Sequence, residues 1–154
     1  MLTDFWQDVT AFGSLVFSIA LIAGAYAIGE PALSFQLLVA LILCYTISFP
    51  IKIFFFKQRP KKERYGNLIE KFEASSFPSV HSMRAVSLAI ILAVFANNLL
   101  FTLLEALVVI GTLYSRILLR KHFLVHVVWG ALFGAVIGHA VSLSPLLLPL
   151  TSFL

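Results

Sequence analysis

The sequence predicts an all-α membrane protein, a polytopic bundle of about five transmembrane helices, and three observations carry that prediction. Hydrophobic residues make up 60% of the 154 and charged ones only 12%. With a mean hydropathy of +1.00, the chain lies far outside the soluble globular range. The apolar residues fall in long runs of the length that a hydrocarbon core of roughly 30 Å requires. Between the runs stand short turn signals and a single sizeable polar segment.

The first run, uncharged between Asp8 and Glu30, predicts a span near 11–28. The N-terminus, MLTDFWQDVT, has two aspartates and no basic region, so no cleavable signal peptide is expected and the run stays as a span. Glu30-Pro31 breaks the chain, and a second span is expected over 32–56 with Lys52 near its far end. Cys44 lies in that apolar stretch and is expected in the core. Residues 57–78, KQRPKKERYGNLIEKFEASSFP, form the polar segment. Within it a short surface helix is expected, with Tyr65, Leu68, Ile69 and Phe72 turned to lipid.

From Ser79 to Ser115 the chain is too long for one ordinary span, and Asn97-Asn98 marks a turn, giving spans at 79–96 and 99–118. A fifth span is expected over 122–143, where Gly130, Gly134 and Gly138 recur every four residues as a close-packing seam. The tail, SPLLLPLTSFL, is broken by Pro145 and Pro149 and is expected at the interface. One bundle of this size leaves no room for a second domain. Five such spans put all 11 lysines and arginines on one side of the bilayer, which the positive-inside rule makes cytoplasmic in a cell membrane. The net charge of +4 is then a topology and lipid-surface signal, with no basis for nucleic-acid binding.

Three short stretches meet on that side, at the ends of spans two to five: KIFFFKQRP (52–60), FPSVHS (77–82) and SRILLRKHFLVH (115–126). They bring together Lys52, Arg59, Arg116, His81 and His122. Lysine offers a point charge and arginine a two-pronged fork for phosphate oxygens, and a helix start at Ser79-Val80 adds free N–H groups. Such a set is built for phosphate. Metal binding by His122 and His126, four apart on one helix face, is the weaker reading, because no cysteine or carboxylate completes the set and the cations would repel a metal ion. His139 and Glu105 are expected to be structural polar residues. Lys61, Lys62, Arg64, Arg120 and Lys121 are expected to be headgroup contacts.

These residues resemble the type 2 phosphatidic acid phosphatases, which share their core with vanadium haloperoxidases and glucose-6-phosphatase. That family's pattern is KxxxxxxRP, then PSGH, then SRxxxxxHxxxD. Here Lys52, Arg59 and Pro60 match the first motif, Pro78, Ser79 and His81 the second, and Ser115, Arg116 and His122 the third. The resemblance implies a metal-independent phosphohydrolase without cofactor. In it Lys52, Arg59, Arg116, Ser79 and the Val80 amide hold phosphate, His122 attacks phosphorus, and His81 protonates the leaving alkoxide and later activates water.

Its substrate would be a lipid phosphate, of the phosphatidate, phosphatidylglycerol phosphate or isoprenoid phosphate or diphosphate class. Membrane lipids are the other expected partners, and a homo-oligomer is compatible with the sequence. Two positions depart from the pattern. Val80 replaces a glycine but keeps its N–H. His126 stands where the family has the aspartate that orients the nucleophile. The expectation is weakened catalysis, with a silent lipid-phosphate binder as the alternative, or a replacement carboxylate from Glu63, Glu70 or Glu73.

Overall fold

The computed structural model describes residues 2–61 and 64–144. The helices run in the order α1 (Leu2–Thr10), α2 (Leu15–Ala27), α3 (Pro31–Phe54), α4 (Leu68–Ala74), α5 (Val80–Ala96), α6 (Leu99–Leu118) and α7 (Leu124–Ser142), and among the described residues no strand occurs. Lys62, Glu63 and the tail from Pro145 lie outside the described residues.

The first expected span is broken. A 3-10 turn at Ala11–Gly13 follows α1, and Ser14, in extended conformation, caps α2 by accepting a hydrogen bond from Phe17 N at 3.1 Å. The chain bends by 51° at this break. Hydropathy sees 11–28 as one run because the break is made by Gly13 and Ser14, small residues that interrupt the geometry without adding charge. α1 folds against α6, where Trp6 meets Tyr114 edge to face and Thr112 Oγ1 donates to the Val9 carbonyl.

The other boundaries have local causes. Gly29 at φ 86° and Pro31 at the first helical position turn the chain into α3. Asn97 adopts the left-handed conformation that ends α5, and Asn98 caps α6 by accepting from Phe101 N, so the expected turn is where the paired asparagines stand. α4 begins only at Leu68, capped by Asn67, while Glu70 reaches back to Gly66 N at 2.6 Å. Tyr65, Leu68 and Ile69 are exposed as expected. Phe72 is not: it stacks against Tyr45 and Phe49 of α3.

Three helices, α3, α6 and α7, are long and apolar enough to cross a membrane, and the bent α1–α2 pair makes a fourth if taken as one span. α5 is a shorter apolar helix of 17 residues. It is also the centre of the bundle, flanked by α3, α6 and α7. Its closest neighbour is α7, where the glycine seam lies. A Cβ on Gly130 would stand 2.5 Å from the Ser79 carbonyl oxygen, and one on Gly134 2.4 Å from that of Met83. These glycines therefore set how near the chain after His122 lies to the start of α5. Leu37, Ala40, Cys44, Met83 and Ile91 fill the core between α3, α5 and α7.

Candidate active site

The site lies where four helix ends meet: the last turn of α3, the start of α5, the end of α6 and the start of α7. Lys52, in the last turn of α3, is 3% exposed. Its Nζ donates to the Ser75 carbonyl at 2.6 Å and to that of Phe72 at 3.1 Å, and it lies over the Phe72 ring. Arg59, in the chain leaving α3, donates to the Glu73 carbonyl. Arg116, buried near the end of α6, donates from Nη1 to Thr10 Oγ1 at 2.8 Å, while its Nε is buried without a hydrogen-bond partner. Burying a guanidinium N–H unpaired is costly unless an anion completes it.

Ser79 caps α5. Its hydroxyl accepts from Ser82 Oγ at 2.8 Å, and its N–H donates to the His126 carbonyl at 3.1 Å, tying the α5 start to α7. The first-turn amides that follow, Val80 and His81, have no intrahelical acceptor and are a natural anion cradle.

His122 sits in the turn between α6 and α7, 3% exposed. Its Nδ1 stands 2.7 Å from the Ser76 carbonyl oxygen. A carbonyl can only accept, so Nδ1 carries the proton and Nε2 carries the lone pair. Burial, then the charge of Arg116 and more weakly of Lys52 and Arg59, hold the imidazole down to about 2 against the raising effect of that bond. His122 is thus a neutral imidazole with a free nucleophilic nitrogen among three cations.

His126 does not take the place of the missing aspartate. Its Nδ1 meets Ser76 Oγ at 2.8 Å, and its ring lies edge-on between Phe77 and Phe123. Ser76 Oγ is itself 3.3 Å from His122 Nδ1. Ser76 stands between the two histidines: its carbonyl orients His122 and its hydroxyl joins His126. The Ser76 N–H donates to the Lys57 carbonyl at 2.7 Å, which ties the segment between α4 and α5 to the chain leaving α3. Of the carboxylates expected to substitute, Glu70 is spent on the α4 cap, Glu73 meets Arg59 through its main-chain carbonyl, and Glu63 lies outside the described residues.

His81, one residue into α5, lies within electrostatic reach of Arg116, Arg84, His122 and Arg59. Arg84, 3% exposed, places Nη2 3.4 Å from His81 Nδ1. The same guanidinium donates to the Gly13 carbonyl from Nε at 3.0 Å and Nη2 at 2.7 Å, and to the Tyr45 hydroxyl at 2.5 Å. A Cβ at Gly13 would meet the His81 carbonyl at 2.9 Å, so the break between α1 and α2 is packed directly on the site.

The predicted set of Lys52, Arg59, Ser79, Val80, His81, Arg116 and His122 therefore converges at one end of the bundle, with His126 beside it. Ser76, Thr10 and Arg84 were not expected there. A main-chain acceptor has no sequence signature, and Ser76 stands only as one of a pair before FPS. Arg84 did carry a signal, a charge inside an apolar helix. Glu105 departs from its expected role as a satisfied polar contact. Its Oε2 is buried without a partner, and it borders an apolar cavity of about 350 Å³. Phe17, Ala85, Leu88, Leu92 and Thr112 also line that cavity, between α2, α5 and α6.

The sequence model of the PAP2 superfamily matches residues 33–147. The chain belongs to the PAP2 superfamily. Among solved structures this PAP2 protein is similar to LpxE of Aquifex aeolicus, with a TM-score of 0.76 and 25% identity, over 91% of this chain and 84% of that one. Comparison with curated proteins gives no match. The family and the likeness in fold support a membrane protein with lipid phosphatase activity.

Proposed function

We propose that this PAP2 protein hydrolyses a membrane lipid phosphate or diphosphate through a phosphohistidine on His122, without a metal ion. The observation that carries the reading is the 2.7 Å contact between His122 Nδ1 and the Ser76 carbonyl, which assigns the proton to Nδ1 and leaves Nε2 to attack. Lys52, Arg59 and Arg116 hold the three non-bridging oxygens and stabilise the charge spread over them in the transition state. The Ser79-Val80 helix start adds N–H donors. Attack by Nε2 divides one displacement into two, the second being hydrolysis of the P–N bond. His81 stands on the leaving-group side, with Nε2–H directed to the departing oxygen.

The tail of the substrate runs down the apolar cavity. Ala85, Leu88 and Leu92 line it and lie on the same face of α5 as His81, one to three turns further along. In the membrane, the α1–α2 pair, α3, α5, α6 and α7 make five crossings. The site then sits at the cytoplasmic surface, because eight of the 11 basic residues remain there when Lys52, Arg59 and Arg116 are set aside. Cysteine labelling of the Asn97-Asn98 turn from either side of sealed vesicles checks the orientation.

The test of activity is phosphate release by purified protein in detergent micelles, given phosphatidate, phosphatidylglycerol phosphate and isoprenoid phosphates with a chelator present. Release that disappears in His122→Ala supports the reading. Release abolished by the chelator would point to a metal-dependent hydrolase. Binding of these lipids with no release from any would make the protein a silent binder, disarmed at position 126.

A further inference from the structure

Within the phosphatase reading, a second question is which bond the site is set to break. Three cations surround the phosphate to be transferred, and Arg84 is a fourth, placed behind His81 on the leaving side. Its hydrogen-bond partners are neutral: the Gly13 carbonyl, the Tyr45 hydroxyl and His81 Nδ1. An arginine is always a donor and always charged, so a nitrogen that it meets at 3.4 Å is an acceptor. His81 then has its only proton on Nε2. A second proton on Nδ1 would point N–H against N–H beside a guanidinium that two other partners hold in place. We infer that Arg84, together with burial and the charge of Arg116, keeps His81 a neutral hydrogen-bond donor and so sets the site for lipid diphosphates in preference to lipid phosphomonoesters. The inference rests on the phosphohistidine reading above.

The proton balance of the two reactions decides this. With a diphosphate, His122 Nε2 bonds to the terminal phosphorus as the bond from that phosphorus to the bridging oxygen breaks. The electron pair stays on the bridging oxygen, which leaves as part of a lipid monophosphate. No proton need move, because a phosphate monoester is a stable anion whose second proton titrates near about 6. His81 Nε2–H steadies that oxygen and keeps its proton, and the Arg84 charge favours the departing anion. Water then bonds to phosphorus as the P–N bond breaks. The pair returns to Nε2, and both water protons end on inorganic phosphate.

With a monoester, the same first step expels an alkoxide about as basic as hydroxide, far more basic than a phosphate monoester anion. It has to take a proton as it leaves, and a neutral His81 could give one only by becoming an imidazolate. Losing general acid catalysis costs on the order of 100-fold or more.

Farnesyl diphosphate and farnesyl monophosphate, which share one tail, form the test pair in detergent micelles. The wild-type protein is expected to favour the diphosphate by at least about 100-fold in kcat/KM. In Arg84→Gln that ratio is expected to narrow by up to about tenfold, because His81 loses the partner that faces Nδ1 while burial and the charge of Arg116 still oppose a second proton. Loss of the Gly13 and Tyr45 bonds alone would lower both rates together and leave the ratio in place. Should Arg84→Gln not fold, the wild-type ratio still decides. Equal or faster hydrolysis of the monophosphate, still lost in His122→Ala, overturns the role of Arg84 and leaves the phosphohistidine reading standing. Hydrolysis of neither compound, nor of any other lipid phosphate, overturns both.

Discussion

Replacing His126 by aspartate restores the residue that the PAP2 pattern has beside its nucleophile, and the structure sets how much that should gain. In the native site the Ser76 carbonyl, 2.7 Å from His122 Nδ1, already holds the reactive tautomer. The carboxylate therefore adds only its charge, delivered to His122 as the ring becomes positive on attack. A neutral hydrogen bond contributes about 0.5–1.5 kcal/mol and one to a charged group about 1.5–3 kcal/mol. The exchange is thus worth about 1–2 kcal/mol in the transition state, or about 5- to 30-fold in turnover. Where loss of an orienting carboxylate also frees the wrong tautomer, as in the serine-protease triad, the effect is roughly 10⁴. Phosphate release from the best lipid substrate, compared between wild type and His126→Asp at saturation, measures the difference. A gain of a thousandfold would mean that Ser76 does not hold the tautomer. A loss would mean that the native bond from His126 to Ser76 is itself required.

Other perturbations probe separate parts of the account. Ser76→Ala keeps the carbonyl and removes the hydroxyl, so kcat should fall by less than about tenfold, the size of one neutral hydrogen bond, in the same assay. Gly134→Ala puts a Cβ 2.4 Å from the Met83 carbonyl oxygen and should cost about 1–3 kcal/mol, seen as a lowered Tm in detergent, with activity reduced because α7 is pushed off α5. His122 titrates near 2 in the folded protein and near its ordinary value when unfolded, so the unfolded chain binds the extra proton. Stability from this group is complete above about 6.5 and declines as pH falls below it. Tm should therefore drop between pH 7 and pH 5, and drop less in His122→Ala.

The parts of this protein that were legible in its sequence are those written in side chains at fixed spacing. Lys52, Arg59, Ser79, His81, Arg116 and His122 are such residues, and the structure gathers them because Asn97-Asn98 reverses the chain and the glycine seam clamps α7 to α5. The break at Gly13-Ser14 was hidden inside an apolar run, and with it the use of α1 as a wall that brings Thr10 to Arg116. The orienting acceptor for His122 could not be read at all. It is a main-chain carbonyl, and any residue at position 76 offers one. Where the family pattern has a side-chain carboxylate, this fold uses backbone.

The central claim is that His122 Nε2 becomes covalently phosphorylated. Protein mixed with a labelled lipid phosphate or diphosphate, quenched in alkali within one turnover and digested, can be read by tandem mass spectrometry. The account predicts a phosphate on the Nε2 atom of His122, chased away by unlabelled substrate and missing in His122→Ala. A phosphate on His81 or His126 would contradict it, as would turnover with no phosphorylated residue.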